Sequence, residues 1–262
     1  MMDRPAPSPA DRRAAEQAFH DAQAAARRAS WGDDVARELR FASDAYLNHE
    51  SWIAPAMALL GSVQGCRVLD YGCGHGMASV VLARAGACVV ACDVAGGYVR
   101  EAADRATAND VADRVAVVQA DGERLPFADA VFDRVWGHAI LHHLDARVAA
   151  AELRRVLAPG GKAVLCEPWG GNPLLELARQ RWWYPGKHRT VDEHPLRPTD
   201  LDALRTVFPG MRVWPHQLLG MTRRLWPSAP WQNLLDRADA ALFRHWPQLH
   251  RLCRYLVLEM PA

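Results

Sequence analysis

The chain has 262 residues, half of them hydrophobic and 23% charged, with a formal net charge of +1. This is the composition of a globular unit large enough to bury a core, and it excludes a disordered chain, a coiled coil and a small disulfide-stapled domain. The charge balance gives no global case for nucleic acid or a membrane surface as partner, and no apolar run approaches the about 18 residues of a membrane span.

Residues 1–12 are rich in Pro, Asp and Arg, without the apolar run of a secretory leader, and read as a flexible tail. Asp11–Ala29 is an Ala/Arg/Glu-rich helix. Asp33 or Asp34 can cap a second helix running to about Leu47, and a third covers Trp52–Leu60 and stops at Gly61. This prelude contains no strand.

At Cys66 the pattern changes. Strands are expected at Cys66–Tyr71, Ala87–Cys92, Val115–Gln119, Ala130–Trp136 and Lys162–Glu167. Helices are expected between them at Met77–Arg84, Tyr98–Ala108 and Ala146–Leu157. Short β runs alternating with amphipathic helices predict an α/β, Rossmann-like, doubly wound, mostly parallel sheet with right-handed crossovers. Beyond Pro168 come helices at Leu201–Phe208 and Trp231–Phe243 and strands at Arg212–Pro215 and Tyr255–Met260. This last part carries seven of the ten tryptophans and 13 basic against 8 acidic residues. It reads as completion of the sheet with two insertions, about 169–198 and 216–250.

The strongest local signal is Val68-Leu69-Asp70-Tyr71-Gly72-Cys73-Gly74-His75-Gly76. A Gly-rich turn between a first strand and a helix lets a ligand approach the backbone closely. A nicotinamide fingerprint would need glycine at position 77, which is Met. Asp70 would repel a pyrophosphate and attract an ammonium group, so the loop suits a zwitterionic, phosphate-free nucleoside. Asp93 follows the second strand, where an acidic side chain bonds ribose hydroxyls in such folds. Asp121 follows the third. Three consecutive strands thus end in Asp, at the sheet edge where ligands bind.

These residues, with Ala120-Asp121-Gly122-Glu123-Arg124-Leu125-Pro126-Phe127, Phe132-Asp133-Arg134-Val135-Trp136, Leu141-His142-His143-Leu144 and Leu153 through Gly161, resemble the class I S-adenosylmethionine-dependent methyltransferases. The pieces occur in that family's order over about residues 41–168. The resemblance implies S-adenosylmethionine as cofactor, S-adenosylhomocysteine as its product, and a small-molecule acceptor. It places the methionine part against Gly72, Cys73, Gly74 and Gly76, with Asp70 near the ammonium. Asp93 would hold the ribose, Val94 the adenine face, and Ala120, Asp121 and Gly122 the adenine edge. His138 would lie near the methyl donor, and Tyr46 can reach the cofactor carboxylate. One departure is Gly96-Gly97-Tyr98, where the family often carries Ser and a larger apolar residue.

Residues 13–61 would then be an N-terminal helical lid, 62–168 the S-adenosylmethionine-binding core, and 169–262 the substrate side. His138 is the first candidate for a base, followed by His142, His143 and His194. Asp192, Glu193 and Arg189 can orient His194. Trp169, Trp182, Trp183 and Tyr184 can stack on an acceptor, while Trp214, Trp226, Trp231 and Trp246 suit the core of a cap. No histidine cluster with metal-ligand spacing stands out, so no metal is expected. The six cysteines, with no C-x-x-C, read as buried thiols of a cytoplasmic protein. The chain lacks the Asn/Asp-Pro-Pro-aromatic motif of nucleic-acid methyltransferases after the fourth strand. A partly apolar natural-product or lipid-like acceptor is the leading expectation and a cofactor-biosynthesis acceptor the second. A protein that binds the cofactor without methylating stays open, as does a homodimer.

Overall fold

A computed structural model of the chain describes residues 8–181, 194–225 and 229–262. Helix α1 (Pro9–Ala29) opens on a capping box. The Ser8 hydroxyl accepts from the Asp11 amide, the Asp11 carboxylate accepts from the Ser8 amide, and Pro9 fits the first turn. The helix therefore begins at Pro9, before the expected end of the tail at residue 12.

The single helix expected to Leu47 is two, α2 (Val35–Leu39) and α3 (Ser43–Leu47). Asp34 caps α2 by accepting from the Arg37 amide. The break falls at Arg40-Phe41-Ala42 and has a tertiary cause. The Phe41 amide donates to Asn109, its carbonyl accepts from Arg84, and its ring lies under the guanidinium groups of Arg84 and Arg105. These contacts outweigh local helix propensity. α4 (Ile53–Leu59) follows.

The core then alternates β1 (Arg67–Tyr71), α5 (Met77–Arg84), β2 (Cys88–Asp93), α6 (Gly96–Ala108), β3 (Val115–Gln119), β4 (Phe132–His138), α7 (Ala146–Val156) and β5 (Leu157–Pro168). The remaining elements are α8 (Pro173–Arg181), α9 (Pro198–Val207), β6 (Arg212–His216), α10 (Ala229–His245) and β7 (Tyr255–Pro261). The sheet order is β3-β2-β1-β4-β5-β7-β6. The first five strands in that order are parallel, and β7 runs antiparallel to both β5 and β6. The chain winds outward from β1 to β3 and then jumps to β4 on the other side of β1. That reversal makes a crevice at the strands' carboxyl ends.

Side chains alternate across the sheet as the pleat requires. Leu69, Tyr71, Val135 and Leu165 face a layer containing α7 and α9, with Leu153, Leu204 and Phe208. Val68, Trp136, Val164 and Val257 face Trp52, Ile53, Leu60 and Val80 on the other side. Strands β2 and β4 run one and two residues past their expected ends, so Asp93 and His138 are paired in the sheet, opposite Gln119 and Cys166.

The tryptophans depart from expectation. Trp169, a candidate for stacking on an acceptor, is buried and donates its indole N–H to the Arg251 carbonyl. Trp214, Trp231 and Trp246, expected in a cap core, are 43%, 40% and 51% exposed. Trp214 stands on β6, the edge strand of the sheet. Trp182, Trp183, Tyr184, Arg189, Asp192, Glu193 and Trp226 lie outside the described residues. Among the described residues no helix is long and apolar enough to cross a membrane.

Candidate active site

The turns after β1, β2, β3 and β4 enclose a cavity, and α1 closes it from outside. Gly72 and Gly74 form one wall. Asp93 and Val94 form the next, followed by Ala120, Asp121 and Gly122. His138, Ala139, Ile140, His143 and Leu144 complete the inner surface, and Arg12, Arg13, Glu16 and His20 of α1 form the cover.

Two glycines of the loop are required by geometry. Gly72 has φ +69, and a Cβ there would sit 2.7 to 2.9 Å from the Ile140 side chain. Gly76 has φ +81, and a Cβ there would meet Ala102 at 2.7 Å, so it sets the contact of α5 with α6. Gly76 does not border the cavity. Neither does Cys73, whose thiol is pushed up by burial and is no nucleophile there.

Asp93 ties the loop to β2. One carboxylate oxygen accepts from the Gly74 amide and the other from the Ala95 amide, both at 2.9 Å. Burial raises its pKa and the two amides oppose that rise. Asp70 lies beneath the loop, 2% exposed, and accepts from the Ser79 hydroxyl. Burial pushes its carboxyl up to about 7, with Ser79 opposing and Asp93 adding to the shift. Asp70 is thus one layer behind the cavity wall. Tyr46 is also in the interior, with its hydroxyl accepting from the Trp136 indole at 3.1 Å. The structure does not bring it to the cavity.

Asp121 accepts from Arg13 at 2.6 Å and from the Glu123 amide at 2.9 Å. Lone pairs remain on both oxygens for a further donor. Glu123 accepts from Arg12 at 2.6 Å.

The four candidate histidines separate. His138 borders the cavity, edge-on to Trp52 with ring centroids 4.9 Å apart. Burial pushes it down to about 4, so it is neutral at pH 7. His143 also borders the cavity, with Nδ1 3.1 Å from Glu16. His142 turns the other way, its Nδ1 2.8 Å from Glu167 on β5. Glu167 further accepts from the Ile140 and Leu141 amides and is fully buried. His194 sits outside the cavity beside the Pro195 carbonyl.

Sequence reasoning missed the inner face of α1. Positions 12, 16, 20, 23 and 27 recur every three or four residues, so they share a side of the helix, with Arg13 at its margin. Arg12 and Arg13 meet Glu123 and Asp121. Gln23 accepts from Tyr98, and Arg27 pairs with Glu101. Asp21 accepts from the Gly97 amide at 2.6 Å. A Cβ at Gly97 would come 2.8 Å from Ala24, so the Gly96-Gly97 departure is where α1 lies against α6.

The donor set fits a zwitterionic nucleoside. The half-buried Asp93 and a glycine turn stand at one end, with the buried Asp70 one layer behind, and Val94, Ala120 and Leu144 offer apolar surface for a base. Arg12 and Arg13, the arginines bordering the cavity, are each engaged by a carboxylate, so neither is prepared for a pyrophosphate.

Comparison with known proteins agrees. A methyltransferase-domain family profile matches residues 69–165. A demethylmenaquinone methyltransferase of Thermobifida fusca is 34% identical over 197 residues, covering 70% of this chain and 78% of that protein. The fold is shared with a sarcosine dimethylglycine methyltransferase-like structure from Galdieria sulphuraria, with TM-score 0.56, 19% identity, 83% of this chain and 86% of that one. It is also shared with geranyl diphosphate C-methyltransferase of Streptomyces coelicolor, with TM-score 0.53, 16% identity, 84% of this chain and 81% of that one. A seven-stranded sheet in this order, the carboxylate-lined glycine turn at its switch point and a relative aligned over most of both chains lead to one conclusion: the chain belongs to the class I S-adenosylmethionine-dependent methyltransferases.

Proposed function

We propose that the methyl group goes to a small, partly apolar acceptor of lipid-like or natural-product kind, and that a reduced quinone of the demethylmenaquinone class is the first acceptor to try. The observation that supports this most is the wall beyond the glycine loop. Ala139, Ile140 and Leu144 give it an apolar surface, with the neutral His138 as its polar group. The Thermobifida relative's name supports the quinone class.

S-Adenosylmethionine supplies an electrophilic methyl group on a sulfonium. Asp93, through Gly74 and Ala95, holds the cradle in shape, and α1 excludes water. The acceptor must be the quinol, because the oxidised ring is electron-poor and does not attack an electrophile. Held against Gly72, Gly74 and Asp93, the cofactor would supply its methyl to the quinol ring carbon, and its sulfur would keep the S–CH₃ electron pair. The ring C–H becomes strongly acidic, so a base as weak as His138 suffices to take the proton. A phenol or amine acceptor would need a base with a pKa nearer the working pH.

The test is an assay with labelled S-adenosylmethionine and demethylmenaquinol kept reduced, read by mass spectrometry. A product heavier by one methylene, absent with the oxidised quinone, supports the quinol reading. Turnover of phenols or amines but not quinols replaces it. Binding of S-adenosylhomocysteine with no turnover across acceptor classes favours a protein that uses the cofactor without methylating.

Asp70 makes a second result measurable. Its carboxyl lies near 7 in the free protein, and an ammonium placed close to it favours the ionised form. Between pH 6 and 7, binding of S-adenosylhomocysteine is expected to release part of a proton. The release shows as a dependence of the calorimetric enthalpy on the buffer's ionisation enthalpy. Asp70→Asn abolishes this dependence; its persistence would mean that another group carries the proton.

A further inference from the structure

One cluster bordering the cavity has no part in the chemistry described so far. Glu16 and His20 sit one turn apart on the inner face of α1, and His143 reaches them from the turn after β4. The Glu16 carboxylate lies 3.4 Å from His20 Nε2 and 3.1 Å from His143 Nδ1. One ligand atom from each residue lies within 4.8 Å of the other two. Glu16 is 6% exposed, and both histidines are largely covered.

We propose that Glu16, His20 and His143 form a two-histidine, one-carboxylate site for a divalent transition metal of the zinc class, bolting α1 to the turn after β4 across the cavity.

The chemistry of the donors selects the metal. Two imidazole nitrogens and one carboxylate oxygen suit a borderline cation and not Mg²⁺ or Ca²⁺, which prefer all-oxygen cages. The spacing also fits. Ligand atoms about 2.0–2.2 Å from a tetrahedral zinc ion stand roughly 3.4 Å apart, and two of the three separations are already close to that. The third closes by small side-chain rotations.

Three protein ligands would leave a coordination position for water or a ligand, and all three side chains border the cavity. The site joins the cover to the floor. Of the ligands, Glu16 and His20 belong to α1, and His143 follows the strand that ends in His138. A bound metal therefore resists lifting of α1. The proposal concerns the metal alone and holds whatever the acceptor is.

The test uses the untagged full chain, stripped with a chelator and titrated with Zn²⁺ by calorimetry. A parallel titration with Co²⁺ is read by its visible absorption. The expected result is one metal per chain and the intense band of four- or five-coordinate Co²⁺. Glu16→Gln, which keeps the side chain's size, and His143→Asn each weaken binding by more than about 100-fold, beyond what loss of an outer partner costs. Unchanged circular dichroism shows that the variants fold. His245→Ala, at the exposed end of α10, leaves binding unchanged. Zinc is also expected to slow release of S-adenosylhomocysteine from the wild type. Binding no tighter than that of the variants, or several weak metals per chain, overturns the proposal and leaves a plain histidine–carboxylate contact at Glu16. If metal binds but S-adenosylhomocysteine does not, the cofactor reading fails and the metal site stands.

Discussion

Replacing Asp93 with alanine is expected to weaken S-adenosylhomocysteine binding by about 10- to 150-fold in calorimetry. That corresponds to the roughly 1.5–3 kcal/mol of hydrogen bonds to a charged group. Two losses combine. With the nucleoside placed as proposed, the carboxylate no longer offers acceptors to the ribose, and the Gly74 and Ala95 amides lose the partner that fixes the loop. Asp93→Asn separates them. An amide side chain has one acceptor oxygen, so it can satisfy one backbone N–H while its NH₂ faces the other. The asparagine variant should therefore bind nearly as poorly as alanine, with a denaturation midpoint between those of the wild type and the alanine variant, since it keeps one of the two loop hydrogen bonds. An affinity unchanged by Asp93→Ala would remove the ribose from this wall, and with it the placement of the nucleoside along Asp70–Gly76.

The sequence made the parallel core legible because each signal there is local. Glycine at 72 and 76 follows from backbone angles and close approach, and Asp93 and Asp121 follow strands whose β character is continuous. The errors arise where distant residues decide. Phe41 leaves the helix because Asn109, Arg84 and Arg105 hold it. His142 and His143 are adjacent in sequence but serve different partners, Glu167 at 2.8 Å and Glu16 at 3.1 Å. No periodicity distinguishes them. The edge position of β6, and hence the exposure of Trp214, depends on sheet order, which local patterning does not contain.

The cover inverts the usual rule for a packed helix. An amphipathic helix normally turns its apolar stripe inward, whereas α1 turns Arg12, Glu16, His20 and Arg27 toward the core. The apolar contact on that face is small, Ala24 against Ala95 and Tyr98. Partly exposed ion pairs contribute about 0–1 kcal/mol each. A helix held mainly by such pairs is easily lifted from an empty cavity, and it gains contacts when a ligand fills the space beneath it. This suits a cover that must admit and release a cofactor in every cycle. The same inward polar face is what brings a carboxylate and two imidazoles together.

Glu167→Ala is expected to be strongly destabilising, although Glu167 does not border the cavity. Its carboxylate accepts from the Ile140 amide at 2.9 Å, the Leu141 amide at 2.8 Å and His142 at 2.8 Å, all without solvent. Removing it leaves two backbone donors and an imidazole buried without that partner. The cost is roughly 3–5 kcal/mol, as for other broken buried pairs, or a fall of about 6–20 °C in denaturation midpoint for a chain of this size. Glu167→Gln keeps the shape but not the charge and should lie between the two. The pH profile then identifies the cause. Burial alone would raise the Glu167 pKa, but His142 and the two amides outweigh it and hold the carboxyl below its ordinary value near 4.5. A pKa lowered by folding contributes stability that is complete above the unfolded value and lost as pH falls through the folded one. The wild-type advantage over Glu167→Gln should therefore be constant from pH 7 to about 5 and shrink on further acidification. An advantage that persists undiminished to pH 3 would mean the pair is not ionic. Because Ile140 and His143 border the cavity at either end of the segment Glu167 anchors, Glu167→Gln should also weaken S-adenosylhomocysteine binding. An acid on the fifth strand thereby governs the wall built by the fourth.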